Sequence, residues 1–320
     1  MKALVTGGAG FIGSNLVDAL VVRGDEVVVY DDFSTGFRYN IKHHLNNFNW
    51  DLDKISIHTG DVSQNHLNSF CKNVDVIYHL AARISVPESI TNPTGTHKVN
   101  VDGTLAVLEA ARANGCRVVF ASSSAVYGDR TNSWANDPGT AEGDEKWPCS
   151  PYGVSKLIGE EYCTTYTRCY KVPTTCLRFF NVYGPRQSVN SGYAAAIPKF
   201  INSLLKNESP VIYGDGDQTR SFTYVSDVVD ALLLAGEPRD YPLIANISTC
   251  KRTSINELVN LIKIELGKES VENIYKPKRD GDILHSAADT NNAKYLLGFE
   301  ANVELDEGLR KTIDYYKNNM

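Results

Sequence analysis

At 320 residues, with 42% hydrophobic and 22% charged side chains, the chain has the size and composition of a globular protein of one large domain, or of a large and a smaller one. A formal net charge of −6 argues against nucleic acid as a partner, and no apolar run approaches the ~20 residues of a membrane span. Seven cysteines, an odd number with no Cys-x-x-Cys pair, read as reduced thiols of a cytoplasmic protein, with Cys163 and Cys169 as small side chains on a helix and no metal site.

The chain opens on Met1-Lys2-Ala3-Leu4-Val5-Thr6, which runs into a strand and a glycine turn, unlike a signal peptide. Strands are expected at residues 2–6, 26–30, 55–59, 74–80, 117–122 and 174–179, and helices at 12–23, 64–71, 96–114 and 152–170. This alternation predicts a Rossmann-type doubly wound α/β fold, a parallel sheet with right-handed crossovers and helices on both faces. Val27-Val28-Val29 and Val118-Val119-Phe120 are apolar throughout, as a sheet covered on both faces requires. The polar residues 129–150 read as a surface loop. Past residue 180 the alternation breaks down. A helix is expected near 197–206, strands near 211–213 and 221–224, and a helix at 225–235. Another helix is marked by Ile255, Leu258, Val259 and Ile262 at i, i+3, i+4 and i+7. The expected division is a dinucleotide-binding domain of residues 1–180 plus about 225–247, and a smaller mixed α/β substrate-binding lobe of 181–224 and 248–320.

Gly8-Ala9-Gly10-Phe11-Ile12-Gly13 satisfies G-x-G-x-x-G, and Gly7, Gly10 and Gly13 satisfy the G-x-x-G-x-x-G variant. Such glycines make a tight turn, let backbone approach a pyrophosphate, and pack the helix on its strand; the helix then offers free N–H groups to the phosphates. The context fits, with a strand before, a helix after, and Asp31 ending the second strand. A carboxylate there bonds both ribose hydroxyls and repels a 2′-phosphate, which favours NAD over NADP. Arg38 lies beyond Asp31 and reads as solvated. The candidate cofactor shell comprises Gly7, Gly10, Phe11, Ile12, Gly13, Asp31, Asp32, Ser34, Thr35, Gly36, Asp61, Val62, Leu80, Ala81, Ala82, Asn100, Ser122, Tyr152, Lys156 and Phe179.

Tyr152 and Lys156 stand at i and i+4 on a helix, hence on one face. A phenol ionises near 10, and bringing it to ~7 takes about 3 units, or ~4 kcal/mol of stabilisation for the phenolate. Lys156 and a positively charged nicotinamide can supply that field. A hydroxyl of Ser122-Ser123-Ser124, at a strand's carboxyl end, can bond the same substrate oxygen and shuttle its proton. Glycine turn and Tyr-x-x-x-Lys together point to redox chemistry at a carbinol.

These motifs, with His79-Leu80-Ala81-Ala82, Asn100-Val101-Asp102-Gly103-Thr104, Ser122 through Gly128, Ser150 through Lys156, Arg178 through Pro185, Gly214-Asp215-Gly216 ahead of Arg220, and Arg279-Asp280-Gly281-Asp282, resemble an extended short-chain dehydrogenase/reductase, specifically the nucleotide-sugar 4-epimerases that act on UDP-glucose or UDP-N-acetylglucosamine. The resemblance implies Tyr152 as base, Lys156 on the nicotinamide ribose, and Ser123 as the catalytic hydroxyl, with Ser124 the other candidate. It implies a UDP-sugar site with Ser85, Ser123, Tyr152, Asn181, Ala195, Tyr213, Arg220, Arg279, Asp282 and Ser286. In it Asn181 meets the diphosphate or sugar, Arg220 and Arg279 pair with phosphates, Asp282 holds the uridine ribose, and segments 194–197 and 211–213 wrap the uracil. It also implies a homodimer packed through helices 96–114 and 152–170.

Similar 4,6-dehydratases carry Asp-Glu where this chain has Ser124-Ala125, and similar UDP-glucuronate decarboxylases carry a Glu there. Without those acids, the implied reaction is NAD-dependent oxidation and re-reduction at C4 through a 4-keto sugar. A UDP-hexuronate 4-epimerase or another nucleotide-sugar enzyme is the alternative. A catalytically silent NAD-binding protein is the alternative of another class, against which the intact Tyr152–Lys156 pair argues. In similar epimerases the residue four past the Asp of Arg-x-Gly-Asp faces the C2 substituent. Here it is Ser286, small enough for an N-acetyl group, although Ile84 ahead of Ser85 is bulky.

Overall fold

The apolar runs of the first half become strands separated by helices, as covered parallel strands demand. A computed structural model describes residues 1–42, 54–64, 66–129, 139–189, 196–239, 241–278 and 284–319. Strand β1 (Lys2–Thr6) leads into α1 (Phe11–Arg23), β2 (Glu26–Asp31), β3 (Ile55–Thr59) and β4 (Val76–His79). Two short helices, α2 (Val86–Thr91) and α3 (Pro93–His97), continue through a π-turn at Lys98–Asp102 into α4 (Gly103–Asn114). Then come β5 (Arg117–Ser123), α5 (Pro151–Tyr170), β6 (Thr174–Phe179) and β7 (Val182–Tyr183). Next are α6 (Ala196–Leu205), β8 (Val211–Tyr213), β9 (Thr219–Arg220), β10 (Thr223–Tyr224), α7 (Val225–Ala235) and β11 (Leu243–Ile247). The remainder is β12 (Thr253–Ser254), α8 (Ile255–Leu266), β13 (Ile274–Lys276), β14 (His285–Ser286) and α9 (Leu305–Asn319).

Seven strands pair in the order β11-β6-β5-β4-β1-β2-β3, all parallel, in a Rossmann-type doubly wound sheet. The order reverses between β1 and β4, and the crevice beyond their carboxyl ends is the switch point where such sheets bind ligands. Leu16, Val17 and Leu20 of α1 pack with Val228 and Leu232 of α7 in one core; Val107 and Leu108 of α4 join Cys163 of α5 in a second. A third cluster joins Phe200 and Leu204 of α6 to Leu258 and Ile262 of α8 and to Leu309 and Ile313 of α9. Around it lie the short pairs β8–β13, β9–β12 and β9–β14.

Several expectations needed correction. The helix at 64–71 is a single 3₁₀ turn, Leu67–Phe70; Ser and Asn there compete for backbone groups, and Ser69 Oγ donates to the His66 carbonyl. The strand at 74–80 shortens to β4. The helix at 96–114 begins at Pro93 and is broken by the π-turn, while the strand at 221–224 shortens to β10, with Ser221 N–H donating to the Ser286 carbonyl instead. Within the loop read at 129–150, residues 139–142 are docked on the protein. Thr140 N–H donates to Ala287, and Glu142 accepts from the Asn246 N–H at 2.6 Å.

At the carboxyl end of β4, buried His79 bonds Thr6 Oγ1 through Nδ1 (2.8 Å) and Thr104 Oγ1 through Nε2 (3.0 Å), tying β1 to α4. Burial, and secondarily the nearby Lys156 cation, pushes its pKa down to about 3. The unfolded chain therefore binds a proton that the folded chain refuses, and stability is lost as pH falls from about 6.5 toward 3. Over that window, denaturant titration should show the wild type losing about 1.4 kcal/mol per pH unit more than His79→Gln; equal slopes would contradict the assignment.

Candidate active site

The glycine turn is built by close backbone approach. A Cβ on Gly13 would lie 2.1 Å from the Gly7 carbonyl oxygen, and one on Gly7 (φ +70°) would lie 2.7 Å from the Ala81 nitrogen. Only hydrogen fits at these two positions, so Gly7 and Gly13, with Gly10 between them, hold β1, the start of α1 and Leu80-Ala81-Ala82 around one cradle. Helix α1 starts from Gly10 with no side-chain cap and no acidic residue in its first turn; Phe11, Ile12 and Gly13 thus present the positive end of the helix.

Asp31 is buried at the end of β2. Its Oδ2 accepts the Ala9 N–H (2.9 Å) and its Oδ1 the Phe33 N–H (2.8 Å), leaving lone pairs for a ribose. Burial raises its pKa, and the two backbone N–H bonds oppose that rise. Asp32 accepts from Ser34, and Ser34 and Thr35 are exposed. Gly36 lies against Ala9, where a Cβ would come 2.8 Å from the Ala9 carbonyl carbon. Buried Asn40, missed in the sequence, donates from Nδ2 to the Ala9 carbonyl at 2.9 Å, so loop 33–40 wraps the glycine turn. Exposed Arg38 lies over the Phe33 ring. Asp61 turns back to the Ser63 N–H, Val62 packs against Gly103, and Phe179 packs into the sheet core. These residues fit a dinucleotide with a free 2′-hydroxyl.

Ser150 caps α5, accepting the Gly153 N–H at 3.1 Å, and Pro151 occupies the first turn. Tyr152 follows, its N–H donating to Ser89 Oγ on α2 at 3.1 Å, another contact the sequence did not reveal. Burial pushes the Tyr152 phenol above its ordinary value, and a hydrogen bond with Ser123 lowers it. Ser123 thus acts on the phenol, and Ser124 is half-buried in the next turn. Ser122 commits its hydroxyl hydrogen to buried Glu160. Lys156 is buried, donates from Nζ to the Ala121 carbonyl (2.8 Å), and lies 6.0 Å from the centre of the Tyr152 ring. Burial pushes its pKa down to about 8, against the field of Glu160.

Asn100 sits in the π-turn. Its Oδ1 accepts the Arg83 N–H (2.8 Å), and its Nδ2 donates to the Arg83 carbonyl (3.0 Å) and to Ser155 Oγ (2.9 Å). Both amide hydrogens are committed, so Asn100 braces the loop after β4 against α5 beneath the cofactor crevice.

Ser85 caps α2 by accepting the Glu88 N–H, and Ile84 is 71% exposed. Asn181, at φ +31°, donates to the Ser221 carbonyl. Tyr213 ends β8. Arg220 and Ser286 are register partners in the parallel pair β9–β14, so their side chains leave the same face. Ala195, Arg279 and Asp282 lie outside the described residues. Among the described residues no three His, Cys, Asp or Glu side chains form a metal-holding group, and no helix is long and apolar enough to cross a membrane.

The family model "NAD dependent epimerase/dehydratase" matches residues 3–247. A Methanocaldococcus jannaschii protein provisionally named UDP-glucose 4-epimerase is 40% identical over 321 residues, spanning 99% of this chain and 98% of its own. The UDP-glucose 4-epimerase of Mycolicibacterium smegmatis is 38% identical over 322 residues, covering 99% of each. Among solved structures, a UDP-N-acetylglucosamine 4-epimerase from Methanobrevibacter ruminantium, in complex with UDP-N-acetylmuramic acid, is 38% identical. It superposes with a TM-score of 0.91 over 100% of this chain and 99% of that one.

If the Asp31 carboxylate receives the ribose hydroxyls, NAD should bind more tightly than NADP by roughly 1.5–3 kcal/mol. Because burial raises the Asp31 pKa, NAD affinity should decline on acidification at a pH above the ordinary aspartate range. Calorimetry on wild type and Asp31→Asn checks both; a variant that keeps the preference and the pH profile removes Asp31 from the site.

Proposed function

The chain belongs to the NAD-dependent epimerase/dehydratase family, and on that premise we propose that it interconverts UDP-hexoses epimeric at C4, accepting UDP-GlcNAc and UDP-GalNAc as well as UDP-glucose and UDP-galactose. The observation that carries this reading is the meeting of the Tyr152 phenol and the Ser123 hydroxyl at the carboxyl end of β5, with buried Lys156 one helical turn from Tyr152 and no carboxylate at positions 124 and 125. NAD, when bound, supplies a hydride acceptor that returns the hydride within the same cycle. Tyr152 Oη takes the proton of the 4-hydroxyl and later gives it back, and Ser123 Oγ relays it by donating to the same oxygen. The ammonium of Lys156 stabilises the phenolate in a dry site, where its field is stronger than in water. Arg220 holds the diphosphate while the oxidised sugar turns over between its two faces. The homologous epimerases named above support this reading, and a homodimer through the faces of α4 and α5 belongs to it.

Ser286 carries the choice of sugar. It stands beside Arg220 on the same face of β9–β14, so a side chain there borders the ring that the anchored diphosphate presents. An acetamido group forced against a larger residue meets an overpacking cost of roughly 1–3 kcal/mol.

Tyr152→Phe should lower turnover by at least ~10² and leave NAD affinity nearly unchanged; a variant with most of its activity would remove Tyr152 from the reaction. Ser286→Tyr should reduce kcat/KM for the N-acetylated pair roughly 5- to 150-fold and spare the plain hexoses. Product chromatography over a panel that includes UDP-glucuronate checks the substrate: turnover of UDP-hexuronates alone would replace this reading with the hexuronate one.

A further inference from the structure

The proton-transfer groups stand on α5 and on the end of β5, and a buried ionic group underlies both. Arg178 of β6 is fully buried and donates from Nε (2.8 Å) and Nη2 (2.7 Å) to the two carboxylate oxygens of Glu160, itself 1% exposed. Glu160 Oε1 also accepts the Ser122 hydroxyl. Ser122 precedes Ser123 on β5, and Glu160 follows Lys156 by one turn of α5. On its other side Arg178 donates to Tyr127 Oη (2.7 Å), which donates to Asn246 Oδ1 (2.6 Å). A pair of this kind contributes little net stability, because removing both charges from water costs as much as their attraction returns; an apolar pair of the same volume serves a fold equally well. Its placement between the serine strand and the lysine helix gives it a different use.

We propose that Glu160 is a positioning residue for proton transfer: through Ser122 it fixes Ser123 in register with Tyr152, and its carboxylate keeps Lys156 cationic inside the dry site. The inference rests on the role given above to Tyr152, Ser123 and Lys156. The groups around Lys156 are Tyr152, Glu160 and Cys163 on its own helix, the Phe120 ring (5.0 Å) and the Ala121 carbonyl on β5, and His79 on β4. Arg178 on β6 reaches this group through Glu160. Glu160 is the carboxylate of the set. It opposes the burial of Lys156.

Glu160→Gln keeps the shape and an acceptor for Ser122 but removes the charge. In the NAD-loaded protein, the alkaline limb of kcat should move about one pH unit toward acid, with KM for the UDP-sugar within about twofold and kcat nearly recovered at low pH. Titration of Lys156 by NMR in ε-carbon-labelled protein should show the same displacement without any substrate. A protein that turns over no UDP-hexose yet shows the displacement retains this inference and loses the assigned reaction. Because Gln leaves Arg178 buried without its partner, the double variant Glu160→Gln/Arg178→Met is made alongside. It removes both charges and should shift Lys156 in the same direction by less. A Lys156 titration unmoved in both variants, or an equal loss of kcat at every pH, overturns the proposal.

Discussion

Helix α5 lies closer to strand β5 than ordinary side chains permit, and the site depends on that approach. A Cβ on Gly159 would stand 2.4 Å from the Phe120 ring, and one on Gly153 would stand 2.6 Å from the Ala125 carbonyl oxygen. Hydrogens at these two positions let the helix settle on the end of the strand, so that Lys156 reaches the Ala121 carbonyl and Ser123 reaches the Tyr152 phenol. Interiors are packed to crystal-like density and resist displacement, so this contact fixes the spacing of Tyr152, Lys156 and Ser123. The same closeness removes water from Lys156, which is why its ammonium is destabilised and why a neighbouring carboxylate has leverage over it.

The crevice at the sheet's switch point is closed by groups that come from far along the chain. Loop 33–40 grips Ala9 through Asn40 and through the Phe37 N–H. Asn100 ties the loop after β4 to α5. Besides the β6–β11 pairing and the packing of α7 on α1, side-chain bonds join the second half of the chain to the first. Asn246 on β11 donates to the carbonyls of Thr140 and Asp289, bringing the segment after β14 onto the sheet edge. Arg186 pairs with Asp18 of α1 at 2.6 Å, and Asn15 on the same helix donates to the Pro185 carbonyl. Helix α1, which faces the cofactor crevice with its start, is thereby connected to the region that carries Arg220 and Ser286.

Much of this was legible in the sequence because it is local. Period-2 and period-3.6 patterns gave β1, β2, β3, β5, β6, α1, α5 and α7 within a residue or two, since both the burial and the chain direction are written in consecutive residues. The glycine turn and Tyr152–Lys156 are likewise short motifs whose spacing already defines a face. What escaped is long-range. The π-turn at Lys98–Asp102 follows from Asn100 finding Arg83 and Ser155, partners that no window around residue 100 contains. Asn40, Ser89 and Glu160 act through bonds to backbone or side chains distant in sequence, and a lone polar residue in a helix or loop looks like solvated surface until its partners are placed. The 3₁₀ turn at Leu67–Phe70 escaped for the opposite reason: apolar spacing suggested a helix where Ser and Asn hydroxyl and amide groups compete for the backbone.

The central claim is that one carbon of the sugar is oxidised and reduced again by a hydride held within the site, with Tyr152 and Ser123 handling only the proton. Incubating the NAD-loaded protein with UDP-hexose carrying deuterium at C4, then recovering both epimers for mass spectrometry and NMR, tests this directly. The expected result is an epimer mixture that keeps deuterium at C4 and takes up none from solvent at C4 or C5. Washout of the label into water, or exchange at C5, would mean elimination or deprotonation chemistry and would contradict the account.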